Sequence, residues 1–365
     1  MFFYLTFFLF TILLSINYPL KINFNNLNKK IAFNYDPFLF SFLFLSLVLG
    51  FRYNVGIDYM NYVNNFKSYQ SGIKPRNIEI GYELINHLIA FSGFDFWLVF
   101  LIFSFIINYF TLKTLKDNSK NYLLSTIIIF GTGFIFFQTN GIRQAIAIAC
   151  IFYGSKYIIS SDLKKYLFFC TLGLGFHLTA YIMIPFYWLA KIKFKKIILL
   201  LGVLISLILF INPLILEKFT EALLNLITIP RYQNYIKKAL ANSGGIDSGY
   251  RVIFEALISI IIIIFTPQKI FDKLQGRIYI NFFVFSNISK LLFSRFWALG
   301  RISFYFTVFQ SLFFPYFIYN IPVNKKSKVL LIILTIIYFS FWTFWAIKGN
   351  SHDIIPYQFV FWRIN

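Results

Sequence analysis

Apolar runs of roughly 17–25 residues, the length a helix needs to cross a bilayer, recur from end to end of this chain. Hydrocarbon offers no water to an exposed peptide group, so a chain that crosses it repeatedly in such runs must do so as helices. The fold class is therefore an all-α polytopic membrane protein, with about 10–12 transmembrane helices including a broken or re-entrant hairpin. Of the 365 residues only 13% are charged, about half the share of a soluble domain. No stretch can hold a water-soluble core of its own, and residues 1–365 read as a single integral membrane domain.

The formal net charge of +21 comes from lysines in short clusters between apolar runs. That spacing is topology control and contact with anionic lipid headgroups, not a nucleic-acid surface. Abundant Phe, Ile, Asn and Lys also match an AT-rich genome, so single aromatic residues carry little signal. Cys150 and Cys170 lie inside apolar runs without pairing spacing and read as small core residues. The first run lacks a basic leader and a small-residue cleavage site, and reads as a retained helix.

The positive-inside rule assigns the sides. Run 2–18 leads inward to Lys21, Lys29 and Lys30, and run 37–51 leads out to a polar stretch and an amphipathic segment at 79–92. Runs 94–112, 122–138 and 142–159 follow. Region 166–190 has lysines at both ends and Gly173-Leu174-Gly175 in its middle. Its 25 residues cannot cross twice at full length, so two partial helices that enter and return, with His177 near the tip, are expected. A single crossing with lysines on both sides is the competing account. Run 197–212 exits to an outer loop, 213–250, whose 217–240 part has the composition of an interfacial helix. Runs 251–266, 278–296, 302–320 and 329–347 complete the bundle.

On this topology 18 lysines but only one arginine, Arg277, lie in cytoplasmic links. The other eight arginines fall outside or near outer helix ends. A guanidinium binds phosphate oxygens with a planar fork and keeps its proton, so the outer face is the chemical face. There the stretch Arg52-Tyr53-Asn54-Val55-Gly56-Ile57-Asp58-Tyr59 joins a cation, a flexible glycine and an acid at a helix exit. Arg52 is a candidate phosphate ligand and Asp58 a candidate base or hydroxyl orienter, with Tyr59 beside it; a loop salt bridge is the bland reading. Glu79, Glu83 and His87 share a helical spacing, but with one cluster and no Asp-x-Asp a solvated face is favoured over a metal site. Glu79 remains a candidate acid. Arg143, one turn into a small-residue span after Gly141, combines a guanidinium with the positive end of a helix dipole. His177 can donate to a leaving phosphate or accept a hydroxyl proton, or be only a hydrogen-bonded core residue. Arg231, Arg251, Arg295 and Arg301 would form a basic rim for anionic glycolipid, or snorkel to headgroups. No metal or cofactor set is expected. The tail residues His352 and Asp353, before Ile354-Ile355-Pro356-Tyr357, are weak signals alone.

Together these residues resemble a known family. Arg52-x-x-x-Gly56-x-Asp58-Tyr59-x-x-Tyr62, Glu79-x-Gly81-Tyr82, Arg143-Gln-Ala-Ile-Ala, Gly173-x-x-Phe176-His177, Arg301-Ile-Ser-Phe-Tyr-Phe and the terminal Ile-Pro-Tyr occur in order over nearly the whole chain. The set resembles the EpsG-like family of Wzy-type polysaccharide polymerases, with Ile57 where a small polar residue is usual. The resemblance implies a GT-C-like glycosyltransferase on the outer face of a bacterial inner membrane. It would move a growing glycan from undecaprenyl pyrophosphate to the non-reducing end of the next lipid-linked repeat. Lipid-linked oligosaccharides and membrane lipids are the implied partners, with room for a chain-length regulator and none for nucleic acid. A glycolipid flippase or a glycan ligase is the alternative.

Overall fold

The computed structural model describes residues 1–17, 20–23, 30–33, 35–75, 78–225 and 249–363. It is helical throughout apart from one short antiparallel pair, Leu20–Asn23 with Lys30–Phe33. Arg76, Arg231 and most of the 217–240 segment lie outside the described residues.

The described chain divides into two compact units. The first comprises Met1–Gly154, Leu167–Tyr181 and Leu330–Asn365. Its helices are α1 (Phe2–Leu14), α2 (Pro37–Gly50), α3 (Tyr59–Gln70), α4 (Ile80–Phe91), α5 (Trp97–Asn118), α6 (Tyr122–Gly131), α7 (Phe134–Asn140) and α8 (Ile142–Gly154). Helix α5 is the axis, packed by α2 and α8. Local chemistry sets the helix starts. Asp36 caps α2 by accepting the Phe38 N–H at 3.1 Å, with Pro37 opening the helix, and Asn121 caps α6 through the Leu124 N–H at 2.9 Å. Inside the bundle Gln138 donates to Asn108 at 3.2 Å, and Asn108 to Ser104 at 3.2 Å. The Gln138–Asn108 bond joins α7 to α5, and such interhelical amide bonds hold helices together where lipid leaves no hydrophobic drive between them.

Among the described residues four helices are individually long and apolar enough to cross a membrane: Trp97–Asn118, Ile142–Ile159, Arg301–Asn320 and Lys325–Lys348. Two bent pairs raise the number to six, against the 10–12 crossings expected. Part of the difference is length, since several of the expected runs form helices of 13 to 16 residues, such as α1, α2 and Tyr250–Phe265, and two further runs are bent. The chain bends by 52° between α6 and α7, where Gly133 is left-handed (φ 84°), and by 113° between Lys196–Ile211 and Pro213–Ala222. Helices α1 and α2 are apolar but shorter. Lys325–Lys348 has only 22% of its apolar window covered, as a lipid-facing helix would.

The second unit comprises Ser155–Tyr166 and Ile182–Val329, built around Leu274–Phe293. Phe282 stacks on Phe309 at 3.9 Å and Phe283 on Phe313 at 4.3 Å. A buried carboxylate, Glu255, accepts from Arg251 Nε at 2.9 Å and from Lys290 Nζ at 2.5 Å. In the 166–190 region, Leu163–Leu174 is followed by a turn at 175–177, a 3₁₀ helix (Leu178–Met183) and Phe186–Leu189. The Tyr166 hydroxyl donates to the Met183 carbonyl at 2.6 Å, so the segment folds back to where it began. The broken hairpin describes it; the single crossing does not.

Candidate functional site

Five of the sequence-predicted residues, Arg52, Asp58, Glu79, Arg143 and His177, fall in the first unit with Tyr59. The loop leaving α2 is fixed first. The Arg52 guanidinium is 2% exposed, donates to the carbonyls of Leu49 and Thr139, and lies 4.8 Å over the Phe100 ring. It thus satisfies orphan carbonyls at the ends of α2 and α7, while its Nε has no hydrogen-bond partner among the described residues. In this conformation the group sent to a phosphate by sequence reasoning is spent on the backbone.

Gly56 follows with φ 101°, and a Cβ there would stand 2.5 Å from the Thr139 carbonyl oxygen. The close backbone approach that a glycine allows is made here to α7. That contact seats the start of α3. The Asp58 N–H donates to Asn140 Oδ1 at 2.9 Å, and the Tyr62 hydroxyl donates to the Asn140 carbonyl at 3.0 Å. Tyr59 is fully buried, stacked on Phe100 at 4.5 Å, its hydroxyl donating to the Arg52 carbonyl at 3.3 Å. The Asp58 carboxylate, half-buried, accepts from Asn61 at 3.4 Å.

Asn140 and Gly141 end α7, and α8 begins at Ile142, so Arg143 occupies its first turn. Its Nη1 donates to Glu79 Oε2 at 2.5 Å, and its guanidinium lies 5.6 Å from the Tyr82 ring centre. The two side chains are 23% and 13% exposed, so this charge-assisted bond is only partly screened. Glu79 precedes α4 in extended conformation (φ −73°, ψ 145°) and does not share the face of Glu83. Glu83 pairs with Lys74 at 2.8 Å instead, and His87 meets the edge of Tyr69. Burial pushes the Tyr69 phenol up to about 12, so it stays neutral beside Glu83.

The hairpin tip joins at the same helix start. The Gly81 N–H donates to the Gly175 carbonyl at 2.7 Å, and a Cβ on Gly81 would stand 2.8 Å from that oxygen. Glu79 and His177 are each two residues from this bond. Half-buried His177 has Nδ1 2.7 Å from Thr179 Oγ1 and accepts the Thr179 N–H at 3.3 Å. An Nδ1 that accepts the Thr179 N–H leaves Nε2 to carry the proton of a neutral ring.

The EpsG family model matches residues 37–359, nearly the whole chain. The chain belongs to the EpsG family. Membership supports a polysaccharide polymerase-like, glycosyltransferase-type function for a multi-pass membrane protein. No curated protein and no solved structure matches it.

In this EpsG protein Arg251, Arg295 and Arg301 belong to the second unit. Arg251 pairs with Glu255, Arg295 lies 4.6 Å over the Phe210 ring, and Arg301 opens a short 3₁₀ turn, Arg301–Ser303. Sequence reasoning missed Asn140, Tyr62 and Tyr82 as organisers of the site. Tyr62 and Tyr82 sit within the quoted motifs, but in a chain with 24 tyrosines their type carries little information. It also missed how the tail docks. Phe359 bridges Arg52, the Tyr53 N–H donates to the Gln358 carbonyl at 2.8 Å, and the Val360 N–H to the Phe51 carbonyl at 2.9 Å. Gly56→Ala is expected to destabilise the fold by about 2–3 kcal/mol, the left-handed penalty plus a backbone clash. The readout is a lowered unfolding midpoint in detergent; an unchanged one would mean that the loop shifts freely.

Proposed function

We propose that this EpsG protein polymerises lipid-linked oligosaccharide repeats on the outer face of a bacterial inner membrane. The growing glycan leaves undecaprenyl pyrophosphate for the non-reducing end of the next lipid-linked repeat, within a GT-C-like helical core. The observation that carries this reading is the Arg143–Glu79 pair at the positive end of α8, set between the Asp58 loop and the His177 turn. Breaking a sugar–phosphate bond leaves negative charge on the departing pyrophosphate, and a preorganised guanidinium at a helix N-terminus stabilises it without a metal. Glu79 holds the Arg143 fork in place. His177, donating from Nε2, suits the leaving phosphate, which leaves Asp58 as the base for the acceptor hydroxyl, a role worth roughly 10²–10⁴ in rate.

Mass analysis of lipid-linked glycans in a deletion strain tests the reading. Accumulation of single-repeat glycolipid is expected. Intact polymer left on the carrier would indicate a ligase, and loss of every surface-exposed repeat a flippase. Sidedness has its own test. Met60 is 47% exposed on α3, and both native cysteines are buried. Met60→Cys should react with an impermeant thiol reagent from outside intact cells; protection would place the site on the inner face.

A further inference from the structure

Three acceptors at the end of α7 are filled from the stretch 52–62. The Thr139 carbonyl accepts from Arg52 Nη2 at 3.3 Å, Asn140 Oδ1 from the Asp58 N–H at 2.9 Å, and the Asn140 carbonyl from the Tyr62 hydroxyl at 3.0 Å. Two of these are backbone atoms that any residue would supply. Only the Asn140 amide depends on residue type. It belongs to a side chain in a residue 1% exposed, and a buried amide is costly unless it is bonded. The helix end does not call for it, because the Gly141 N–H already returns to the Phe137 carbonyl at 2.9 Å. Its partner lies 82 residues away in sequence.

What Asn140 holds is the backbone of Asp58. This acid stands at the N-cap of α3, yet its carboxylate does not bond the N–H groups of that helix. Its φ of −89° and ψ of 4° also lie outside the extended region usual for a cap. The bond to Asn140 holds that backbone away from the capping geometry, and so sets the direction in which the carboxylate leaves it. Helix α8 starts two residues after Asn140 and carries Arg143 in its first turn. Side chains close the same circuit: the Tyr62 ring lies 5.9 Å from Tyr82, and Tyr82 lies 5.6 Å from the Arg143 guanidinium. One residue thus bonds the loop of the candidate base and stands just before the helix that carries the candidate phosphate ligand.

We propose that Asn140 is the positioning residue for Asp58, its side-chain oxygen holding the acid at a fixed offset from Arg143 and so from the acceptor hydroxyl it serves. The proposal rests on the polymerase reading above. The test is a double-mutant cycle in the full-length protein, read as the extension of single-repeat glycolipid taken from the deletion strain. Asn140→Ala should lower kcat about 10²-fold with KM little changed, the cost of misplacing a reacting group by roughly 1 Å. Asp58→Asn keeps the backbone N–H and removes the base. Once the base is gone its position no longer matters, so Asn140→Ala added to Asp58→Asn should lower the rate less than about 3-fold further. A merely structural Asn140 would bring its full loss into both backgrounds, and that outcome overturns the proposal. So does extension by Asn140→Ala within about two-fold of the unsubstituted protein, or normal extension by Asp58→Asn. If Asn140→Ala does not fold, Asn140→Ser, whose hydroxyl is one bond shorter than the amide oxygen, takes its place in the cycle. An unsubstituted protein that extends no glycolipid sinks the polymerase reading itself, whereas normal extension there with multiplied losses sinks only the role of Asn140.

Discussion

Arg143→Lys is expected to lower glycan extension about 10²–10³-fold, the typical loss when one preorganised donor to a developing anion is removed. The positive charge survives this substitution, so the effect isolates geometry. A lysine presents a point charge on a flexible stem, where the guanidinium presents a planar fork fixed at one nitrogen by Glu79. Insertion and the unfolding midpoint should change little, because the ammonium can still reach the Glu79 carboxylate. Chain-length distributions of the surface glycan give the measurement, and polymer of normal length would remove Arg143 from the mechanism. Glu79→Gln should give a smaller loss of the same kind, since the fork then loses its orienting charge but keeps a hydrogen-bond acceptor.

Glu255→Ala is expected to cost about 3–5 kcal/mol of stability, because it removes the buried carboxylate that two partly buried cations share. Arg251, Glu255 and Lys290 have side-chain exposures of 18%, 6% and 12%, so water replaces the lost carboxylate only in part. The loss is read as a collapse of the unfolding midpoint and of the yield of monodisperse protein. Replacing all three by apolar residues should recover most of it, since the uncompensated charge and not the missing contact is what destabilises. A single variant as stable as the unsubstituted protein would show that the two cations find other partners.

How much of this was legible beforehand depended on range. Run length and lysine placement specified a helical membrane chain, and the Gly173–Gly175 break announced the hairpin that Tyr166 closes on Met183. The helix start at Arg143 followed from Gly141 and the small residues behind it. Pairing across the chain was not legible. Arg143 finds Glu79 over a separation of 64 residues, and no local periodicity encodes that choice. The helical spacing of Glu79 with Glu83 misled for a definite reason: Glu79 sits outside α4 in extended conformation, so the rule for residues four apart does not apply. Arg52 misled because the carbonyls it satisfies, at Leu49 and Thr139, are backbone atoms that every sequence has. The bends at left-handed Gly133 and at Asn212 were not legible, because they fall in or at the end of apolar runs that read as straight.

The Tyr357 hydroxyl donates to the Val48 carbonyl across a sequence separation of 309 residues, beside the backbone bridge between Phe359 and Arg52. Residues made early in translation therefore wait for partners made near its close. While the ribosome is still adding helices, the exit loop of α2 has no strand to pair with, and contacts of such separation are slow to form. A nascent chain stalled before residue 350 would insert into the bilayer yet leave the loop carrying Asp58 held only by its bonds to α2 and α7, without the tail that pairs with it on the other side.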